Sequence, residues 1–144
     1  MVAKLLVAWG LMALCVVIHA TGVTAVLRRV RVHAVKRPSA GRWIWLFIRV
    51  TSWIILLHLA EITLWGAVYV WQEAMPDLAS ALYFSAVTYT TTGYGDVVLP
   101  QEWRLVGAIE ALTGILMCGW STGFFFAIVS RIYKEETAAV GSGP

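Results

Sequence analysis

Three stretches of this chain are each long and apolar enough to cross a bilayer, and the rest of the molecule must accommodate them. A spanning helix needs about 20 predominantly apolar residues. Residues 5–27 carry no charge between Lys4 and Arg28. Residues 43–71 are apolar apart from Arg49, His58 and Glu61, and residues 105–129 apart from Glu110. Composition agrees, since 60% of the 144 residues are hydrophobic and only 13% are charged, about half the charge of an ordinary soluble domain. A disordered chain and a large soluble enzyme domain are both excluded. The expected class is an all-α membrane protein with three transmembrane helices.

Charge placement orients those helices. Residues 28–42 hold Arg28, Arg29, Arg31, Lys36, Arg37 and Arg42 with no acid, and short loops rich in Lys and Arg stay cytoplasmic. Residues 72–104 set Glu73, Asp77, Asp96 and Glu102 against Arg104 alone. The expected topology puts the N-terminus and the 72–104 segment outside and the C-terminus in the cytoplasm, in the plasma (inner) membrane. The same six basic residues form a juxtamembrane cluster suited to anionic lipid head groups. A rival reading takes residues 1–20 as a signal peptide, which would invert everything after it. Cys15 and Cys118 both fall inside apolar stretches and read as small packing residues.

Residues 76–100, PDLASALYFSAVTYTTTGYGDVVLP, carry the functional signal. Pro76 cannot continue the preceding helix, and Asp77 is a good N-cap for a new one. A helix of about 12 residues reaches only about 18 Å, so it must enter the membrane and turn back. Irregular backbone at membrane depth survives only when buried in protein or lining a water-filled cavity. The next residues, Thr90-Thr91-Thr92-Gly93-Tyr94-Gly95-Asp96, are such a stretch. Glycines alternating with larger residues can turn successive carbonyls toward one axis, and a column of carbonyl oxygens can replace the hydration shell of a monovalent cation.

The run TTTGYGD, with Tyr83-Phe84 before it and Trp103 after it, resembles the signature of potassium-channel pore domains. The resemblance covers residues 43–131. It implies an outer helix over 43–71, a pore helix over 77–90, a selectivity filter over 91–96 and an inner helix over 104–131. It further implies a homotetramer, because one chain supplies one pore loop. Carried over, Thr91, Thr92, Gly93, Tyr94 and Gly95 line the filter and bind K+, and Asp96 sits at the outer mouth. No cofactor is expected beyond K+ as the permeant ion, and no nucleic-acid partner. Two positions depart from the family pattern. Thr92 stands where Val or Ile is usual, with its side chain expected to face the pore helix. Val87 stands where some relatives have a buried Glu, so Tyr83 or Trp103 is the candidate partner for Asp96.

Several residues invite a role in gating or support. Gly114 lies in mid-helix, where Gly costs about 1 kcal/mol relative to Ala; it reads equally as a gating hinge or a packing contact. Glu110 shares its face, and a carboxylate at membrane depth is functional by default. Bracing the filter through Thr88 or Thr90 is preferred over lining a cavity. His58 and Glu61, spaced i, i+3, form a pair that is structural or pH-sensitive, a metal site needing a third ligand such as Glu110. His19 and His33 read as interface residues. Residues 1–27 form a first helix that the family's two-span form does not explain, expected to pack through Gly10, Ala13, Ala20 and Gly22. Residues 132–144 read as a short cytoplasmic tail with no room for a regulatory domain. The expected function is passive, potassium-selective conduction by a protein that is not an enzyme. A non-selective monovalent cation channel and a non-conducting regulatory subunit are the alternatives.

Overall fold

The computed structural model describes residues 1–32 and 40–141. Four helices follow in order: α1 (Val2–Val32), α2 (Ala40–Trp71), α3 (Leu78–Tyr89) and α4 (Arg104–Gly141), with a 3₁₀ turn at Gln101–Trp103 leading into α4. No strand occurs among the described residues. α1, α2 and α4 contain segments long and apolar enough to span a membrane, and this is a membrane protein.

Helix limits differ from the charge pattern at two places. α1 runs on through Arg28, Arg29 and Arg31, because nothing before Pro38 breaks a helix. Lys36, Arg37 and His33 lie outside the described residues. α4 continues to Gly141, where a tail was expected, since residues 132–140 contain neither Gly nor Pro.

α2 ends through its own backbone: the Ala74 amide reaches the Tyr69 carbonyl at 2.8 Å and that of Glu73 reaches Val70 at 3.0 Å. Glu73 takes a left-handed φ of 55°, doing there what glycine ordinarily does. Pro76 follows, and Asp77 then caps α3, accepting from the Ser80 amide and hydroxyl, each at 2.8 Å. The first N–H groups of a helix have no partner in the helix itself, and a side-chain oxygen at that place is worth about 1 kcal/mol.

α3 packs between α2 and α4, and α1 lies against α2 and α4. The buried residues of α4 (Val106, Glu110, Thr113, Met117, Ser121, Phe124, Ile128) recur at three- and four-residue steps, one stripe of a 3.6-residue helix. Leu57, Glu61, Trp65 and Tyr69 make the matching stripe on α2. On α1 the inward stripe is Ala8, Leu11, Cys15, His19, Gly22, Val23 and Val26. Gly10 and Ala13 are exposed and Ala20 is half-buried; they sit off this line, so Gly22 alone of the expected small contacts is buried, against Leu57. His19, expected at an interface, is fully buried, because it falls one turn after Cys15 on the same stripe.

The N-terminus of α1 meets the turn before α4. Lys4 stands 4.5 Å over the Trp103 ring and 3.9 Å from Glu102. In lipid, packing helices together gains little hydrophobic free energy, so close contact and interhelical hydrogen bonds decide how they associate. The polar groups buried between these helices therefore matter most.

Candidate functional site

The loop after α3 departs from ordinary backbone at every second residue. Thr91, Gly93 and Gly95 have φ of 58°, 59° and 78°. Glycine enters this left-handed region freely, whereas a residue with a Cβ does so at roughly 1–2 kcal/mol. Thr91 is the member the composition did not announce. Around it, amides that would otherwise lack partners fold back onto α3: Thr91 N–H reaches the Thr88 carbonyl at 2.9 Å, and Thr92 and Gly93 both reach that of Val87, at 2.9 and 3.2 Å. Val87 thus serves the loop through its backbone. The Thr90 hydroxyl donates to the Ala86 carbonyl at 2.7 Å and lies 2.9 Å from that of Thr92, which turns the Thr92 side chain toward the end of α3.

At the far end of the loop, the Tyr83 hydroxyl donates to Asp96 Oδ2 at 2.6 Å, and the Val97 amide donates to Oδ1 at 3.0 Å. The Tyr83 bond holds the Asp96 carboxyl below the usual carboxylate range and pushes the phenol up. Trp103, the other candidate for Asp96, is buried edge-on to Tyr69 instead. The loop itself is exposed from Thr90 to Asp96, with Tyr94 at 72%, and nothing stands within 4 Å of where a Cβ on Gly93 or Gly95 would lie.

Behind the loop, α3 is held by two buried carboxylates. Glu110 of α4 accepts from the Tyr69 hydroxyl of α2 at 2.7 Å and from the Ser85 hydroxyl of α3. Thr88 and Thr90 were the expected partners. The actual one lies earlier on α3, because α3 and α4 run alongside each other with Ser85 opposite Glu110 and Tyr89 opposite Gly114. The Gly114 contact is close: a Cβ there would stand 1.9 Å from the Tyr89 carbonyl oxygen. That approach gives Gly114 a packing reason independent of any hinge.

The second carboxylate is Glu61 of α2. His58, on the same face, is 3.8 Å away through Nδ1. Nearer are His19 Nδ1 of α1, at 3.0 Å, and the Tyr89 hydroxyl of α3, which donates to Oε2. His58 lies 3.2 Å from the Tyr89 hydroxyl and 3.1 Å from that of Ser121 on α4; Ser121 also meets His19 Nε2 at 2.9 Å. His19, His58 and Glu61 each offer a ligand atom within 4.8 Å of the others; Glu110 belongs to the other cluster. Sequence reading missed Ser85, Tyr69, Tyr89, Ser121 and the role of His19. For Ser85 and Ser121, spacing on their helices was the available signal.

The family of ion channels matches residues 43–131, more than half of the chain, from the start of α2's apolar run into α4, which continues to Gly141. No curated protein and no solved structure matches the chain. The chain belongs to this ion-channel family, in agreement with the potassium-channel pore-domain resemblance of its TTTGYGD run.

Proposed function

We propose that this chain forms a potassium-selective channel, conducting K+ passively through a pore made by four copies. The observation that carries the reading is the alternation of left-handed backbone at Thr91, Gly93 and Gly95, in a loop held at the end of a 12-residue helix. Such alternation can present successive carbonyls of Thr91, Thr92, Gly93, Tyr94 and Gly95 on one side. A ring of four such loops supplies oxygens in place of a cation's water, with the Thr91 hydroxyl adding a further set at the inner end. α3 is the pore helix, re-entering the membrane, and its C-terminal end carries partial negative charge, which favours a cation below the filter. Asp96, kept ionised by Tyr83, adds negative charge at the outer mouth.

Exposure supports the tetramer. A single chain leaves residues 90–96 bare, and irregular backbone at membrane depth needs protein or a water-filled lumen around it. Four loops around one axis supply both. The basic residues Arg28, Arg29, Arg31, Lys36, Arg37 and Arg42 support a cytoplasmic position for the 28–42 segment, close to anionic lipid.

Purified protein in liposomes, with opposed potassium and sodium gradients, tests this. The expected result is a flux and a reversal potential that follow potassium. A reversal potential following sodium equally would replace the reading with a non-selective pore, and absence of flux would favour a regulatory subunit.

A further inference from the structure

The contacts around Glu61 close into a ring. Glu61 Oε1 meets His19 Nδ1 at 3.0 Å, and His19 Nε2 meets Ser121 Oγ at 2.9 Å. Ser121 Oγ meets His58 Nε2 at 3.1 Å, and His58 Nδ1 meets the Tyr89 hydroxyl at 3.2 Å. Tyr89 then donates to Glu61 Oε2. Five groups from four helices each use two positions, so the ring has five contacts.

Each contact needs one hydrogen. Tyr89 and Ser121 supply one each, a neutral imidazole supplies one, and an ionised carboxylate supplies none. Neutral histidines and a charged Glu61 therefore bring four hydrogens to five contacts. Followed round the ring, Tyr89 donates to Glu61, His58 Nδ1 to Tyr89, Ser121 to His58 Nε2, and His19 Nε2 to Ser121. The His19 Nδ1 lone pair is then left facing Glu61 Oε1. One further proton fills that contact and cancels the carboxylate charge, in a place where an unpaired charge is expensive. The titratable groups nearby cannot substitute. Cys15 on α1 is buried and Cys118 on α4 half-buried, and a thiol is neutral or negative, never cationic. Glu110, in the neighbouring cluster with Tyr69 and Ser85, has the wrong sign too.

We propose that His19, His58, Glu61, Tyr89 and Ser121 form an intramembrane proton-binding site, in which one shared proton locks α1 to the end of α3 that carries the filter. Tyr89 is the transmitting residue. Its hydroxyl is a member of the ring, its carbonyl rests on α4 at Gly114, and Thr91 follows two residues later. With the proton bound, Tyr89 is held from both sides. Once the proton leaves, a lone pair faces a carboxylate and the ring opens at the His19–Glu61 contact, so α1 loses its tie to the carboxylate that holds Tyr89. His19 lies outside the segment that matches the ion-channel family, so the site depends on the added first helix. A metal ion of the zinc class could use the same histidines and carboxylate, but only by breaking ring contacts and displacing the proton.

Glu61→Gln separates these possibilities. The amide carries its own hydrogens, donates to His19 Nδ1 and accepts from Tyr89, so all five contacts close with neutral histidines and no added proton. In the wild-type protein, potassium flux from liposomes is expected to fall roughly fivefold or more between about pH 6 and about pH 9. The fifth contact exists only in the folded protein and only while the proton is bound, so it stabilises the fold at low pH and is lost as the proton leaves on raising the pH. The wild-type melting temperature should decline over the same interval. Glu61→Gln should flatten both profiles. A Glu61→Gln profile with the wild-type flux ratio would overturn the proposal, as would a wild-type melting temperature that ignores pH. Loss of the wild-type pH dependence on chelator treatment would also overturn it, assigning the site to a metal ion. The flux arm rests on the proposed conduction and the melting arm does not; absence of flux at every pH with a pH-dependent melt would sink the channel reading and leave the ring standing.

Discussion

Glu61 and Glu110 are both fully buried, and both reach α3, yet their partners differ in kind. Glu110 has one hydroxyl on each oxygen, from Ser85 and Tyr69. Each hydroxyl brings its own hydrogen, so the count closes with nothing added. Glu61 has a hydroxyl on one side and an imidazole on the other, and the imidazole's hydrogen is committed elsewhere or must be gained. Hydroxyl partners make a buried carboxylate a fixed strut, whereas histidine partners tie its bonding to the proton supply. The same bundle thus holds α3 by one carboxylate whose hydrogen bonds are complete without an added proton and another whose ring lacks one hydrogen.

The strongest challenge to that contrast is Glu110→Ala. It strands the Tyr69 and Ser85 hydroxyls in an apolar setting, and the expected loss is roughly 3 kcal/mol, read from denaturation in detergent, with most of the flux. Retention of wild-type stability would show that the strut carries little. Next in size is Gly114→Ala, whose Cβ would meet the Tyr89 carbonyl. Moving α4 away should cost roughly 1–3 kcal/mol and weaken both clusters, since Tyr89 belongs to one and sits one turn from Ser85 of the other. Open probability unchanged in that variant would remove the hinge role, and unchanged stability would remove the packing role.

Glu110→Gln sharpens the comparison. An amide cannot accept both hydroxyls, so a loss of about 1 kcal/mol is expected, while the ratio of fluxes at low and high pH should stay at its wild-type value. A flattened ratio would make Glu110 the titrating group and reverse the assignment.

The smallest effect belongs to Asp96, where a tyrosine again meets a carboxylate, this time in the open. Tyr83 holds Asp96 below its ordinary range, so the contribution is present above the usual carboxylate value of about 4. It is lost only as pH falls through the lower folded value. Tyr83→Phe should move the Asp96 titration upward, seen by carboxylate NMR or as an earlier fall of conductance on acidification.

Legibility followed the range of the interactions. The three long helices, the short one and the TTTGYGD loop are written in continuous runs and local spacing. Sequence left Tyr83 and Trp103 as alternative partners for Asp96, and the structure chose Tyr83. Glu110 was recognised as a buried group, but its partners were misplaced along α3, since the offset between α3 and α4 depends on how the two helices seat side by side. His19 shows the limit most clearly. A lone histidine in an apolar helix has no pattern of its own, and only the packing of α1 brings it to a carboxylate 42 residues away.

By itself, the sequence determined that this is a helical membrane protein of the ion-channel family. Apolar length, Pro and Gly placement and the filter-like run act within a few residues of one another, and such signals survive without a tertiary structure. Tertiary structure decided which buried polar groups meet. Lipid offers helices no hydrophobic reason to pack in one register rather than another, so the choice falls to close contacts such as Gly114 against Tyr89 and to hydrogen bonds among residues far apart in the chain.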